Sequence, residues 1–303
     1  MRRTRPFKYF QPTSLSDAST IMQENGPGGH FLAGGTDLVI AVKEKELTPR
    51  YVVDLKRILG LAGIRENPNG GFTIGALTTL YDIEKSTTIL GRYPFLAQGT
   101  AEVGSIQIRH RGTIGGNIVN ASPSADVVPC LLALDAKVCI SNGAEEKTVE
   151  LDEFFLGPGK TIMQPGDILT KILIPPTGPG HTGEYYKCSP RQMMDLAYVG
   201  IAVALTLSAE QKCETVRIAL GAVAPIPLRA KAAEKLLQGQ TLSEELASQA
   251  AERAAQGCTP ISDIRSSAEY RKEMVRVLTK RSLLNAATGK RPLAWTDRRL
   301  KRY

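Results

Sequence analysis

Two short segments hold residues whose types and spacing suit one kind of chemistry: "FLAGGTDL", residues 31–38, and "RGTIGGN", residues 111–117. Each sets two adjacent glycines after apolar residues and follows them with a polar residue able to cap a helix. Glycine lacks a Cβ and reaches positive φ without steric cost, so consecutive N–H groups can close around an anion. A helix beginning at Thr36 would add the positive end of its dipole to the first segment. One such loop is a weak binder, because each charge-assisted hydrogen bond contributes roughly 1.5–3 kcal/mol against an association cost of about 4–15 kcal/mol. Two loops facing a single pyrophosphate, with a ring system buried beside them, would suffice. Taken singly, each segment also reads as a tight turn at a strand end, and spacing alone does not show that the two meet.

Other chemistries find little support. A Rossmann G-x-G-x-x-G is missing, and "GPGKT" at 157–161 carries Phe154 where a phosphate loop needs its leading glycine, so it reads as a turn before a strand. Five cysteines (130, 139, 188, 213 and 258) form no C-x-x-C pair, and His30, His110 and His181 are scattered. Neither a disulfide framework nor a metal site is expected. No Ser-His-Asp set and no paired acids stand out.

The elements that must position the two segments follow from periodicity. "HFLAGG" reads as a buried strand, "TDLVIAVKEKE" as a helix capped by Thr36 or Asp37, and "YVVDL" as the next strand, a βαβ unit that implies parallel pairing. "GFTIGAL" is a strand, "TTLYDIEKS" a helix with Thr78 or Thr79 at its cap, and "YPFLAQGTAEVG" a further helix. "SADVVPCLLAL" reads as a short helix with Ser124 as cap and Asp126 in its first turn. "AKVCIS" and "EKTVEL", joined at Asn142-Gly143, form a hairpin, and "DILTKILIP" is a strand. "PPTGPGHTG" at 175–183 is the best linker. Beyond it, "VGIAVALTLS" and "TVRIALGAV" suit an antiparallel pair, while 228–256 and 266–287 read as amphipathic helices.

A length of 303 residues allows about two domains. With 42% hydrophobic and 22% charged residues the composition is that of a globular protein rather than a disordered or fibrous one. Residues 1–10 and 290–303 carry +4 and +5 of the net +8, so the body between them sums to −1. Basic ends around a near-neutral body do not make the charged stripe of a nucleic-acid groove. The C-terminal basic tail, with Trp295, reads as a docking segment, a solvated tail or a polyanion contact. The longest apolar run, 196–207, falls short of a membrane span, and no apolar segment follows the N-terminal arginines, so a cytoplasmic protein is expected.

"FLAGGTDL", "QIRHRGTIGGNIVNASPSADVVPCLLALDA", "GDILTKILIP" and the later "EYYKCSPRQMMDLAYVGIAVAL", in this order over nearly the whole chain, resemble the FAD-binding medium subunit of the molybdenum hydroxylases, the family of xanthine dehydrogenase and carbon monoxide dehydrogenase. The resemblance implies an α+β fold: a two-subdomain FAD-binding domain of the vanillyl-alcohol-oxidase type over 1–176 (subdomains about 1–58 and 59–176), then a sheet-plus-helices domain over 184–288 and the basic tail 289–303. It implies that Phe31, Leu32, Ala33, Gly34, Gly35, Thr36, Asp37 and Leu38 form the first FAD loop, and Thr113, Ile114, Gly115, Gly116 and Asn117 the second. Asn120 and Asp126 would add polar contacts, Val103 and Leu169 apolar ones, and Lys187 would lie close to the flavin. Each has a plainer reading beside it: Asp126 as a helix N-terminus, Leu169 as core, Lys187 as surface. Arg109 and Arg111 read equally as counter-charges for the phosphates or as a solvated basic turn.

By the same resemblance the chain holds no substrate and no metal. A large molybdopterin-binding subunit would perform the hydroxylation, a small 2Fe–2S subunit would relay the electrons, and FAD here would pass them to NAD or another acceptor, with a xanthine or other purine dehydrogenase the first expectation and carbon monoxide, aldehydes and N-heterocycles the alternatives. "TIGGN" runs on with no cysteine-bearing insertion of the kind that holds an extra 4Fe–4S cluster in some members, so FAD is the sole cofactor expected. Two other classes remain: a self-sufficient flavin oxidase, which would need its own substrate pocket and usually a longer chain, and a polyanion-binding module, which would need an exposed basic stripe.

Overall fold

A computed structural model describes residues 5–191 and 194–288; the N-terminal arginines Arg2 and Arg3 and the basic tail with Trp295 lie outside the described residues. The chain opens with β1 (Lys8–Phe10), α1 (Leu15–Glu24), β2 (Gly29–Leu32), α2 (Leu38–Lys43) and β3 (Tyr51–Asp54). Helical crossovers separate the strands, and they pair in parallel in the order β1-β3-β2. Ser14 Oγ caps α1 by accepting from the Asp17 amide. Tyr51 and Val53 of β3 bury against Ala18 of α1 and against Leu55, Ile58 and Leu61. β2 and β3 therefore end side by side, Leu32 opposite Asp54, and deliver the chain to the carboxyl edge of the sheet.

The next layer is an antiparallel sheet, β4 (Ile64–Glu66), β5 (Phe72–Gly75), β6 (Lys137–Ser141), β7 (Glu146–Glu150) and, after the small hairpin β8 (Phe155–Gly157) and β9 (Lys160–Thr161), β10 (Ile168–Ile174). Its order is β4-β5-β10-β6-β7. Between β5 and β6 run six short helices: α3 (Leu80–Lys85), α4 (Thr87–Arg92), α5 (Pro94–Ala101), α6 (Ile106–Arg109), α7 (Ile114–Val119) and α8 (Val127–Ala133). Thr79, Ser86, Ser105 and Thr113 cap four of them through their hydroxyls, which explains how helices this short hold. Ser124 does not cap α8: Asp126 stands at its N-cap in an αR conformation with no capping bond, because its carboxylate is engaged elsewhere.

The chain then passes to β11 (His181–Cys188), β12 (Val199–Leu207), β13 (Cys213–Gly221) and β14 (Leu228–Arg229), one antiparallel sheet in that order, followed by α9 (Lys231–Leu237), α10 (Glu244–Gln256) and α11 (Ala268–Ala287). β11 begins three residues inside the stretch read as linker. The helix expected over 228–256 is divided into β14, α9 and α10, with Gly239 at φ +75 breaking the run. β12 is buried on both faces. Val199, Ile201, Val203 and Leu205 pack with the terminal helices, while Ala202 and Ala204, with Ala219, pack into the core that holds α5 and α8. Small residues on that second face let helices and sheet come close. Among the described residues no helix is long and apolar enough to cross a membrane.

Gly183 shows how tight that contact is, since a Cβ there would stand 2.5 Å from the Phe95 ring and 2.9 Å from the Val203 carbonyl oxygen. Gly183→Ala is expected to lower stability by about 1–3 kcal/mol through overpacking. Gly178→Ala, whose Cβ would meet only Thr206 Cγ2 at 3.8 Å, is the neutral control. Urea unfolding of the pair checks this, and equal midpoints would contradict it.

Candidate functional site

The two glycine segments touch. A Cβ on Gly34 would fall 2.0 Å from the Arg111 carbonyl oxygen and 2.9 Å from Gly112 Cα, so the two backbones pack directly on one another. A Cβ on Gly116 would point across the gap toward Ala33, 3.9 Å from its Cβ. Asn120 Nδ2 lies 3.5 Å from Asp37 Oδ1. Residues 33–37 and 111–120 thus form one continuous surface at the carboxyl edge of the first sheet, the place where open α/β sheets bind ligands.

In the first segment Gly35 holds φ at +78, which favours glycine. The N–H groups of Gly34, Gly35, Thr36 and Asp37 find no acceptor among the described residues. Asp37 stands at the N-cap of α2 without a capping bond, so its carboxylate leaves these amides free. The carbonyl of Ala33 is held from behind by Lys56 Nζ at 3.2 Å. Lys56 escaped the sequence reading, where only its place just after β3 marks it. Phe31 packs against the first core and Leu38 opens α2.

The second segment differs from the expected open loop. It is the first turn of α7: Thr113 Oγ1 accepts from the Gly116 amide, while the Ile114 and Gly115 amides donate to the carbonyls of Thr78 and Ala76. Those three N–H groups are spent inside the fold, whereas none of the four from Gly34 to Asp37 is. Gly115 is required for contact, since a Cβ there would be 2.7 Å from Ala76 Cβ. What this segment offers a ligand is the side chain of Asn117, whose buried Oδ1 has no partner among the described residues. A buried acceptor without a donor calls for one from a ligand or water.

Arg109 is no counter-charge and no solvated turn. It is buried, its Nε 2.6 Å from Glu84 Oε2 and its Nη1 donating to the Val103 carbonyl. That pair, with Lys85, holds the Glu84 carboxyl below its ordinary pKa against the opposing effect of burial. Arg111 is exposed, with no ion-pair partner among the described residues, and its backbone abuts Gly34.

Lys187 is buried rather than superficial. Its Nζ lies 2.8 Å from Asp126 Oδ2 and donates to the Glu102 carbonyl at 3.0 Å, while Tyr185 Oη donates to Asp126 Oδ1 at 2.8 Å. Asp126 and Lys187 therefore join α8 to the third sheet as a buried ion pair, which disposes of the helix-cap reading of Asp126. Burial pushes the Asp126 carboxyl up to about 6, opposed by Lys187 and Tyr185. Leu169 lies in the main core and Val103 packs against it from a half-buried position.

A parallel βαβ unit with a row of free amides at its carboxyl edge, an Asn117 acceptor unpartnered among the described residues and an exposed Arg111 alongside makes a candidate site for a long anionic ligand of dinucleotide type. Comparison with known families makes the class specific. Residues 5–177 match the model described as the FAD binding domain in molybdopterin dehydrogenase, and 184–286 that of the CO dehydrogenase flavoprotein C-terminal domain. The chain belongs to the family of FAD-binding medium subunits of molybdenum hydroxylases, and FAD is its cofactor. It is 33% identical to the glyceraldehyde dehydrogenase medium chain of Sulfolobus acidocaldarius over 93% of this chain and 98% of that one. Identity to the xanthine dehydrogenase FAD-binding subunit of Escherichia coli O157:H7 is 30%, over 93% and 96%. A solved carbon monoxide dehydrogenase from Hydrogenophaga pseudoflava, lacking the Mo-pyranopterin moiety of its cofactor, contains a chain that superposes with a TM-score of 0.90 at 33% identity, covering 95% of this chain and 99% of that one.

The raised Asp126 pKa has a sign that can be checked. The folded chain holds this proton more tightly than the unfolded chain between the ordinary 3.8 and about 6, so the group's contribution to stability is full below that window and is lost as pH rises through it. Lys187→Met leaves a buried carboxylate unpaired, and is expected to cost about 3–5 kcal/mol at neutral pH. Below the Asp126 pKa the carboxyl is protonated and the cost shrinks. Urea unfolding of the variant on both sides of that pKa tests this, and an equal loss at both would contradict it.

Proposed function

We propose that this chain is the flavin-bearing subunit of a three-subunit molybdenum hydroxylase, working between a small 2Fe–2S subunit and an external acceptor such as NAD, with the substrate held by a large molybdopterin-binding partner. The observation that carries this reading is the row of four unpartnered amides from Gly34 to Asp37. Bound FAD supplies two-electron chemistry at its ring. What the chain's own residues do is bind and orient. The first loop's amides take the pyrophosphate, with Arg111 beside them. Asn117 Oδ1, and Asn120 at the end of α7, meet hydroxyl or ring N–H donors. Gly115 and Gly116 keep the wall thin, Val103 would be an apolar neighbour of the cofactor, and Leu169 would support it from the core. Two of the three Lys187 N–H donors are engaged by Asp126 and Glu102, so the ammonium is fixed in place and adds positive charge near the flavin.

A further feature fits a subunit. The helix α2, "LVIAVK", buries none of its residues, and Val39 and Ile40 are exposed beside the loop. An apolar surface next to a redox cofactor suits cover by another chain. On substrate, a preference for purines finds no particular support: relatives named for glyceraldehyde and xanthine lie at 33% and 30% identity, and the superposed structure is a carbon monoxide enzyme. Aldehydes and carbon monoxide therefore stand beside purines.

Two experiments test the reading. Gly116→Val places its side chain toward Ala33, with Thr113 Oγ1 at 3.0 Å as its nearest neighbour, so the variant is expected to fold and to lose its flavin; full occupancy would contradict the site. Purification of the tagged chain from its own host is expected to bring molybdenum and iron in stoichiometric chains. Turnover of substrate by the lone subunit would contradict the division of labour.

A further inference from the structure

Behind the first loop lies a chain of side-chain contacts whose far end is in β1. Tyr9 Oη donates to Asp54 Oδ2 in a short hydrogen bond. Asp54, at the end of β3, is buried to 2% exposure, and its other oxygen accepts from Lys56 Nζ at 2.7 Å and from the Lys56 amide at 3.0 Å. The same Lys56 ammonium donates to the Ala33 carbonyl at 3.2 Å. That carbonyl and the Gly34 N–H belong to one planar trans peptide and point in opposite directions. Anchoring the oxygen therefore aims the hydrogen. The Gly34 N–H is one of the amides that have no acceptor of their own among the described residues.

We propose that Tyr9, Asp54 and Lys56 form a positioning relay that turns the Ala33–Gly34 peptide so that its N–H faces the FAD pyrophosphate, and that Lys56 is the residue through which it acts. The proposal rests on the FAD-loop reading given above. It explains an arrangement otherwise idle: a buried carboxylate spends both oxygens on holding one lysine and one tyrosine at the back of the loop. A glycine-rich loop is cheap to bend and expensive to hold. A buried, doubly bonded carboxylate supplies the rigid point from which a flexible lysine can restrain it. Tyr9 couples β1, the far edge of the parallel sheet, to the loop at the end of β2.

The test uses the full chain stripped of flavin and titrated with FAD, with the melting temperature of each flavin-free variant measured alongside. Lys56→Met is expected to weaken FAD binding about tenfold, the loss of one charge-assisted bond's worth of positioning. Tyr9→Phe, which leaves every charge near the loop intact, is expected to weaken it about threefold in the same direction. Lys56→Arg is expected to recover part of the loss. Tyr9→Phe and Lys56→Arg are expected to leave the melting temperature of the flavin-free chain near that of the unsubstituted one, Tyr9 being half exposed, whereas Lys56→Met leaves the buried Asp54 carboxylate without its cation and is expected to lower it. Unchanged FAD affinity in Lys56→Met overturns the relay. So does a loss in Lys56→Met with none in Tyr9→Phe, which would make Lys56 a simple counter-charge. A fall in the melting temperature of flavin-free Tyr9→Phe that accounts for its lost affinity would make the contacts structural and also overturns it. If the unsubstituted chain itself fails to take up FAD, the loop assignment fails instead.

Discussion

Four consecutive backbone amides with no acceptor among the described residues are the constraint around which the rest of the structure is arranged. Gly34, Gly35, Thr36 and Asp37 leave their N–H groups unpaired at the carboxyl edge of a parallel sheet. Half-exposed at the start of α2, these groups are left to donate outside the chain, to solvent or to a ligand. Gly35 at positive φ and Gly34 pressed against the Arg111 carbonyl show that the shape is imposed and not slack. The second glycine segment does the opposite work. Its own amides close on Thr78, Ala76 and Thr113, and so it becomes a firm wall against which the first loop is set.

The surrounding layers keep those two segments in register. Ala76, the residue after β5, accepts the Gly115 amide at its carbonyl and donates its own N–H to the Thr170 carbonyl of β10, so the wall is continuous with the central antiparallel sheet. The buried Arg109–Glu84 pair ties α6 to α3 below it. On the far side, Asp126 and Lys187 bind α8 to the third sheet, with Tyr185 closing the pair. Removing any one partner of such buried pairs leaves an uncompensated charge, which is why they act as fixed points more than as sources of net stability.

What could be read from the amino acids and what could not divide along physical lines. The strand–helix–strand start, the hairpin at Asn142-Gly143 and the long pair "VGIAVALTLS" and "TVRIALGAV" are local patterns, and local patterns are legible. "FLAGGTDL" was legible for the same reason, because its free amides follow from residues next to one another. "RGTIGGN" reads as a loop or tight turn, and its closure is not legible because the bonds that close it come from Thr78 and Ala76, more than thirty positions earlier. Arg109, read as a phosphate counter-charge or a solvated turn, and Lys187, read as a flavin neighbour or a surface residue, both pair with acids 25 and 61 residues away, which no local pattern shows. Ser124 looked like a cap because nothing nearby says that Asp126 faces Tyr185. Lys56 has no motif at all; its meaning depends on where the Ala33 carbonyl happens to point.

The central claim is that the first loop's amides, and not those of α7, grip the cofactor's phosphates. Amide hydrogen exchange on the full chain, with and without FAD, measures this at the atoms concerned. The account predicts that the Gly34, Gly35, Thr36 and Asp37 amides go from fast exchange to protection when FAD binds, while those of Ile114 and Gly115, already bonded within the fold, change little. Protection gained at Ile114 and Gly115 with the first loop still exchanging freely would contradict it.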